Sequence, residues 1–174
     1  MKSAGCWLIA FGVESGSPEL LEKMKKGTDL EAAEKAVELC RTTGIKTSVY
    51  FVIGLPWETR RTFEESVTFA KHLNPDFLEV FYAYPFYGTE FYRIAVEEGL
   101  LQEGETPVEG YNHPSLPSIH LSMQELAGMR TEFLRSFYLR PTFITRTLLR
   151  AGSPKVLKNY ARYGWRQLLD FLRT

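Results

Sequence analysis

The 174-residue sequence contains only two cysteines, Cys6 and Cys40, which stand 34 positions apart. Two such cysteines build neither a disulfide framework nor a thiolate metal centre, so both of these protein classes are excluded. The three histidines, His72, His113 and His120, show no ligand spacing with one another or with the cysteines. We therefore predict a cytoplasmic protein whose own residues form no metal site.

Long apolar runs and an excess of charge are also missing. No run approaches the ~20 apolar residues that a membrane-spanning helix needs, and the N-terminal MKSAGCWLIA lacks the cleavage site of a secretory signal. The formal net charge is zero. However, residues 1–120 carry 11 basic and 18 acidic side chains, whereas residues 121–174 carry 10 and 3. The sequence thus predicts an acidic body followed by a basic segment.

Three segments rich in β-branched and aromatic residues predict strands: Cys6–Val13, Ser48–Ile53 and Phe77–Tyr84. Because each segment is almost continuously apolar, we expect strands that are covered on both faces, as in parallel sheets. Glu79 interrupts the third segment, which places it at a solvated strand end or on an edge strand.

Helical segments follow these strands, beginning at Ser17-Pro18, at Thr28 with Glu31, at Thr59 and at Gly88. The alternation predicts an α/β fold of three parallel βα units with right-handed crossovers. Three units make half of a barrel or half of a doubly wound sheet. Since an open three-stranded sheet exposes both edges, we expect further polypeptide to cover it.

Composition divides the chain into three predicted parts. Residues 1–100 hold the βα units, and residues 101–120 form a loop or linker containing two glycines and three prolines. Residues 121–174 are basic and all-helical, with a Ser122–Glu125 capping box, a second helix from Pro141 and a third from Ser153.

Ligands of βα folds bind at the carboxyl ends of the strands, where residues 12–17, 54–59 and 84–90 fall. Each stretch combines glycine, a carboxylate and a hydroxyl. Glu14 and Ser15 could hydrogen-bond ribose hydroxyls or an amino group, and Gly54 could let a flat ring lie against the backbone. The alternative interpretation is structural, because glycine, serine and glutamate also cap helices at such turns.

The ordered set FGVESGSPELLEKMKKG, YFVIGLPWET and YPFYGTEFY resembles the C-terminal half of the radical S-adenosylmethionine (SAM) domain. It is most similar to the branch with an upstream cobalamin-binding domain, which includes the anaerobic magnesium-protoporphyrin ester cyclase and hopanoid-modifying enzymes. The resemblance covers about residues 1–100. It implies a six-stranded partial (βα) barrel in which the three strands are the fourth, fifth and sixth.

The resemblance also implies roles for residues at the strand ends. The fourth strand would contact ribose or methionine, the fifth would lie near adenine with a supporting glutamate, and the sixth would add backbone contacts to adenine. The implied cofactor-binding residues are Glu14, Ser15, Ile53, Gly54, Leu55, Glu58, Tyr84 and Pro85. Tyr87 and Thr89 would face the substrate.

The cluster-binding motif of that family, CxxxCxxC, is absent from the sequence. Because a 4Fe-4S cluster needs several thiolates, we expect the cluster and cobalamin only in an upstream part, with Met1 at an internal position of full-length relatives. We therefore interpret the chain as a fragment that contributes a partial SAM site. We predict no catalytic residue in it, and we expect it to perform no radical chemistry alone.

The basic segment 121–174 leaves three interpretations open. It packs on the acidic body, contacts an anionic membrane or lipid-like substrate at its surface, or binds nucleic acid, for which no known module is recognised. The alternative function for the whole chain is accordingly a non-catalytic membrane-surface or protein-interaction module that retains half a barrel. The expected partner is the missing N-terminal half, or another chain, at the open sheet edge.

Overall fold

The computed structural model describes residues 1–27, 29–107 and 113–149, together with Lys158 and Arg162. The predicted helix from Ser153 to the C-terminus lies outside these residues except for Lys158 and Arg162, which are both helical. None of the helices in the described ranges is long and apolar enough to cross a membrane.

Three parallel strands form one open sheet in the order β1-β2-β3, which confirms the predicted α/β class. The strands are β1 (Leu8–Glu14), β2 (Lys46–Ile53) and β3 (Phe77–Tyr82). The third strand ends two residues before its predicted end. The chain turns there, although the Ala83 N–H still donates to the Ile53 carbonyl at 2.8 Å.

Six α-helices are present in residues 1–27, 29–107 and 113–149. They are α1 (Pro18–Lys23), α2 (Leu30–Thr43), α3 (Arg60–Leu73), α4 (Glu90–Glu97), α5 (Met123–Tyr138) and α6 (Pro141–Leu149). The Ser122–Glu125 capping box of α5 is present as predicted. The second helix begins differently, because the Asp29 side chain caps it by accepting the Ala32 N–H at 2.6 Å.

The two faces of the sheet have different surroundings. On one face, Val49, Phe51 and Val80 are fully buried in a core that also contains residues of α2, α3 and α5. Alternate residues point to the other face, where Gly12 and Glu79 are exposed. The expectation that the strands are covered on both faces is therefore met on one face only within the described residues, and Glu79 lies on an edge strand.

The first helix of the basic segment, α5, belongs to this same core. The Phe133 ring is fully buried and lies 5.2 Å from the Phe51 ring and 5.7 Å from the Phe63 ring. The Tyr138 hydroxyl donates to the Leu78 carbonyl at 2.8 Å and accepts the Leu78 N–H at 2.8 Å. The sheet and α5 are therefore joined by both apolar and polar contacts.

Arginines of the basic segment donate to backbone carbonyls of the βα units. Arg130 binds the Val80 carbonyl at 2.8 Å on β3. Arg140 binds the Lys71 carbonyl at 2.9 Å, and Arg146 binds the Asn74 carbonyl at 2.7 Å. These last two arginines meet the C-terminal end of α3, where the helix dipole presents partial negative charge.

The role of Phe133 in the core gives a first prediction. Because truncation would leave a cavity between β2, α3 and α5, Phe133→Ala should lower the free energy of unfolding by roughly 3–5 kcal/mol. Chemical denaturation measures this loss. Met123→Ala, at an exposed position of the same helix, should change the stability by less than about 1 kcal/mol. Equal losses in the two variants would contradict the packing described here.

Candidate functional site

The carboxyl ends of the three strands meet at one edge of the sheet, because the strands are parallel and adjacent. Glu14 is aligned with Phe51, and Ile53 with Tyr82. The three predicted stretches therefore lie side by side as turns after β1, β2 and β3. Beneath these turns, Leu20 of α1, Leu55 and Ala83 pack in a small buried cluster. We define this edge, with its three turns, as the carboxyl edge.

Glu14 ends β1 in a left-handed backbone conformation, with φ of 68°, directly after a bulge in the strand pairing. Its carboxylate accepts from the Lys26 ammonium at 2.8 Å, and 17% of its side chain is exposed. The sequence pattern identified Glu14, and its pairing with Lys26 is revealed only by the structure. The structure thus places Glu14 at the carboxyl edge with its charge balanced locally.

Ser15 lies behind the turn after β1 and is completely buried. Its hydroxyl is 3.1 Å from the Ser66 hydroxyl of α3 and accepts the Ser17 N–H at 3.0 Å. The Gly16 N–H donates to Ser66 at 2.9 Å. Ser15 therefore holds the turn against α3, and its implied contact with ribose stays a prediction.

Gly16 permits this close approach to α3. A β-carbon at Gly16 would lie 2.6 Å from the Ser66 Cα and 2.7 Å from the Glu65 carbonyl oxygen. Both are backbone atoms of a helix, so they cannot move aside as a flexible side chain would. A side chain at this position would push the turn away from α3.

Glu58 organises the turn after β2 from inside. Its side chain is 1% exposed, and its carboxylate accepts the Gly54 N–H at 2.6 Å. Burial raises the pKa of Glu58 to about 7, although hydrogen bonds from the backbone N–H groups of Gly54 and Leu55 oppose the rise. Gly54 has φ of 78°, a conformation that favours glycine.

The predicted linker supports the same turn from outside. The Ser118 hydroxyl donates to the Glu58 carbonyl at 3.1 Å, and the Ile119 N–H donates to the Pro56 carbonyl at 2.8 Å. Ser118 is 5% exposed. No sequence signal marked it, because it is 60 residues from Glu58 along the chain. The turn after β2 is therefore held on two sides.

The side chains of Ile53 and Leu55 are buried, and they lie in two different apolar clusters. Ile53 belongs to the main core, and Leu55 packs with Leu20 and Ala83. Ile53 and Leu55 could therefore contact a ligand at the carboxyl edge only through their backbone atoms.

The turn after β3 carries aromatic side chains. The Tyr84 hydroxyl donates to the Pro107 carbonyl at 2.8 Å, and its ring meets the Phe86 ring at 4.7 Å. Pro85 is buried. Tyr87 is 81% exposed, although its ring lies 5.1 Å from the Tyr92 ring. The turn therefore presents two exposed aromatic side chains, Phe86 and Tyr87, beside Tyr84, which is fixed by its hydrogen bond.

Thr89 and Glu90 have structural roles at the start of α4, which is one of the two interpretations that the sequence left open. The Thr89 hydroxyl accepts the Tyr92 N–H at 3.2 Å and caps α4. Glu90 pairs with Lys25 at 2.7 Å, which joins the segment after α1 to the start of α4. A substrate contact of Thr89 stays a prediction.

The residues present do not fit an iron–sulfur cluster. Among the described residues, no group of three or more histidine, cysteine or acidic side chains could hold a metal ion. Cys6 precedes β1, and Cys40 is buried near the end of α2, so both lie toward the amino edge of the sheet. The carboxyl edge instead combines the left-handed backbone of Gly54, the partly buried carboxylate of Glu14 and the exposed aromatic side chain of Tyr87. This donor set suits a small organic ligand with a flat ring and hydroxyl groups.

The surroundings of Gly16 and Gly128 predict opposite effects on stability when each glycine is replaced by alanine. Gly16→Ala should destabilise the protein by about 2–3 kcal/mol, because a methyl group collides with the α3 backbone. Gly128→Ala, in the interior of α5 with open space around its Cα, should stabilise it by about 1 kcal/mol through helix propensity. Thermal or urea unfolding measures both. A neutral Gly16→Ala would show that the turn does not need this contact.

The buried carboxyl of Glu58 predicts a pH dependence of stability. Its pKa is higher in the folded protein, about 7 against an ordinary 4.5, so the folded state binds more protons between these values. The free energy of unfolding should therefore fall by roughly 3 kcal/mol as pH rises from 4.5 to 7. Glu58→Gln should flatten this decline, whereas Glu79→Gln, at an exposed carboxylate, should retain it. Denaturant unfolding at several pH values in this range measures the decline. An unchanged slope of unfolding free energy against pH in Glu58→Gln would contradict the burial argument.

Comparison with known proteins relates this chain to a protein family. Residues 1–70 match the family model of the radical SAM superfamily. An uncharacterised methyltransferase of Pyrococcus horikoshii is 30% identical over 148 residues, which cover 85% of this chain and 32% of that protein. The anaerobic magnesium-protoporphyrin IX monomethyl ester cyclase of Rubrivivax gelatinosus is 33% identical over 75 residues, 43% of this chain and 14% of that protein.

A third relative covers almost as much of the chain as the first. The cytidylyl-2-hydroxyethylphosphonate methyltransferase of Streptomyces wedmorensis is 26% identical over 153 residues, which cover 80% of this chain and 28% of that protein. The chain thus spans a third or less of the length of each of these relatives. The family match and the relatives together support the assignment of this chain to a radical SAM family.

Proposed function

We propose that this chain supplies the ribose- and adenine-side wall of a SAM site in a radical SAM enzyme. The observation that carries the proposal is the convergence of the three turns at the carboxyl edge. Two of these turns lie within the residues that match the superfamily. In this proposal, β1, β2 and β3 are the fourth to sixth strands of a six-stranded partial barrel.

The adenine ring is proposed to lie against the backbone of Ile53, Gly54 and Leu55. Gly54 has no side chain to block a flat ring, and the buried Glu58 carboxylate fixes its N–H by a 2.6 Å hydrogen bond. Tyr84 and Pro85 border the ring from the turn after β3. The hydrogen bond between Glu58 and Gly54 holds the turn in one conformation, which lowers the entropic cost of binding a ligand there.

Glu14 is proposed to bind the ribose hydroxyls. Its left-handed backbone places the carboxylate beside the Lys26 ammonium at the carboxyl edge. Ser15 supports this position from below through Ser66. Tyr87, which is 81% exposed on the neighbouring turn, is proposed to face the substrate together with Thr89.

Radical SAM enzymes obtain an adenosyl radical from SAM at a 4Fe-4S cluster. Since this chain lacks the thiolates for such a cluster, we propose that the cluster is bound by another part of the enzyme and that this chain alone is inactive. We also propose that the enzyme belongs to the branch with a cobalamin-binding domain. The relatives named as methyltransferases and as a cyclase favour methyl transfer or cyclisation as the overall reaction.

SAM binding by the isolated chain tests the proposal. Without cluster and amino-group contacts we expect only millimolar affinity, visible as shifts of the Gly54, Leu55 and Tyr84 amide signals in NMR spectra. Gly54→Ala should abolish these shifts, because alanine strains the left-handed backbone, with φ of 78°, of the turn that is proposed to contact adenine. Gly44→Ala carries the same left-handed strain, with φ of 71°, in open space at the end of α2, and should preserve them.

A second pair of variants tests the ribose contact. Glu14→Ala should remove detectable binding, whereas Glu31→Ala, which breaks a comparable lysine pair on α2, should not. S-Adenosylhomocysteine should shift the same amides, since it shares the nucleoside. Shifts confined to other parts of the chain, or equal loss of binding in Glu14→Ala and Glu31→Ala, would contradict the proposed site.

A further inference from the structure

We propose that α6 is a docking surface for an anionic membrane, and that the positive charge of the sequence after it adds attraction to anionic headgroups. One face of α6 is already used by the protein. Phe143 packs on Phe137 and Tyr138, with ring separations of 5.3 and 5.1 Å. Arg146 donates to the Asn74 and Pro75 carbonyls at 2.7 and 2.6 Å. These contacts fix the orientation of the helix.

The opposite side of α6 is exposed and carries three large aliphatic side chains beside Thr142 and Thr145. Ile144 is 43% exposed, Leu148 is 53% exposed and Leu149 is 87% exposed. Ile144 and Leu148 are separated by four positions, so their side chains are neighbours on the helix surface. Leu139, just before the helix, is 43% exposed as well. The helix therefore presents three large aliphatic side chains to the surroundings, and Leu139 adds a fourth beside it.

Positive charge is concentrated in the same part of the chain. Residues 139–174 contain eight arginines and lysines and a single acidic residue, Asp170. Residues 121–138 are balanced, because Arg130 and Arg135 are matched by Glu125 and Glu132. The whole positive excess of the basic segment therefore begins where the exposed aliphatic side chains begin.

This combination fits an anionic bilayer better than other partners. Aliphatic side chains enter the acyl boundary while arginine and lysine attract anionic headgroups. Aliphatic side chains neither stack on bases nor hydrogen-bond to them, so a nucleic acid would leave them unused. A second copy of the chain would bring two like-charged segments together. Tyr160, Tyr163 and Trp165 in the sequence are residue types enriched at membrane interfaces.

The docking surface lies away from the candidate SAM site. Arg146 holds α6 to the carbonyls of Asn74 and Pro75, between the end of α3 and the start of β3, which is the amino edge of the sheet. Membrane contact through α6 would therefore leave the carboxyl edge facing away from the bilayer. The inference is independent of SAM binding, and either proposal can fail without the other.

Vesicle flotation of the complete 174-residue chain tests the inference. We expect binding to phosphatidylcholine vesicles that contain about a third phosphatidylserine, weaker binding at high salt and little binding to phosphatidylcholine alone. The double variant Ile144→Ser/Leu148→Ser should bind at least about ten-fold more weakly. Leu39→Ser, at a 65% exposed leucine of α2, is the matched control and should bind like the unmodified chain.

Charge is tested separately from apolar contact. Lys155→Gln/Lys158→Gln should weaken binding about 25-fold, whereas Lys2→Gln/Lys35→Gln, with the same loss of charge elsewhere, should have little effect. Equal binding to neutral vesicles, equal effects of both lysine pairs, or no vesicle binding would overturn the inference. So would a stable dimer, detected by light scattering, that Ile144→Ser/Leu148→Ser dissociates, or RNA binding in the absence of vesicle binding.

Discussion

Parallel pairing of three short strands is the constraint on which the other features of this protein depend. Parallel neighbours need a crossover between them, and the crossovers here place α2 and α3 on one face of the sheet, where α5 joins them. The same pairing brings the ends of β1, β2 and β3 to one edge. Three turns that are distant in sequence therefore become neighbours, and this arrangement creates the candidate site.

Buried polar groups shape that edge more than its exposed side chains do. Ser15 and Ser66 fasten the first turn to α3, and Glu58 fastens the second turn through the Gly54 N–H. Hydrogen bonds in such dry surroundings are strong when they are satisfied and costly when they are broken. Keeping a carboxyl buried at Glu58 costs stability near neutral pH. In return, the buried carboxyl holds the backbone of Gly54 in its left-handed conformation.

The basic segment has two physically different parts. Its first part, α5, is integral to the core through Phe133, and Arg130 binds a strand carbonyl. Its second part begins near Leu139, where positive charge accumulates and aliphatic side chains become exposed. Arg140 and Arg146 bind this second part to the negative end of α3. The second part is thus anchored by arginine–carbonyl bonds on one side and presents exposed aliphatic side chains on the other.

Much of the local structure was determined by the sequence alone. The apolar segments predicted all three strands within two residues at each end, and the Ser122–Glu125 pattern predicted the start of α5. These features are local, because they depend on residue spacing and on side chains three positions apart. Glu14, Gly54 and Glu58 were also recognisable as strand-end residues from the order of the motifs.

Only the tertiary structure decided which partners these residues have. Lys26 balances Glu14, Ser66 holds Ser15, and Ser118 reaches Glu58 across 60 positions of sequence. It also decided that Thr89 caps a helix, and that one face of the sheet is partly exposed within the described residues. Such contacts join segments that the chain brings together only on folding. No residue spacing encodes them, whereas the periodicity of strands and helices is written directly in the order of the amino acids.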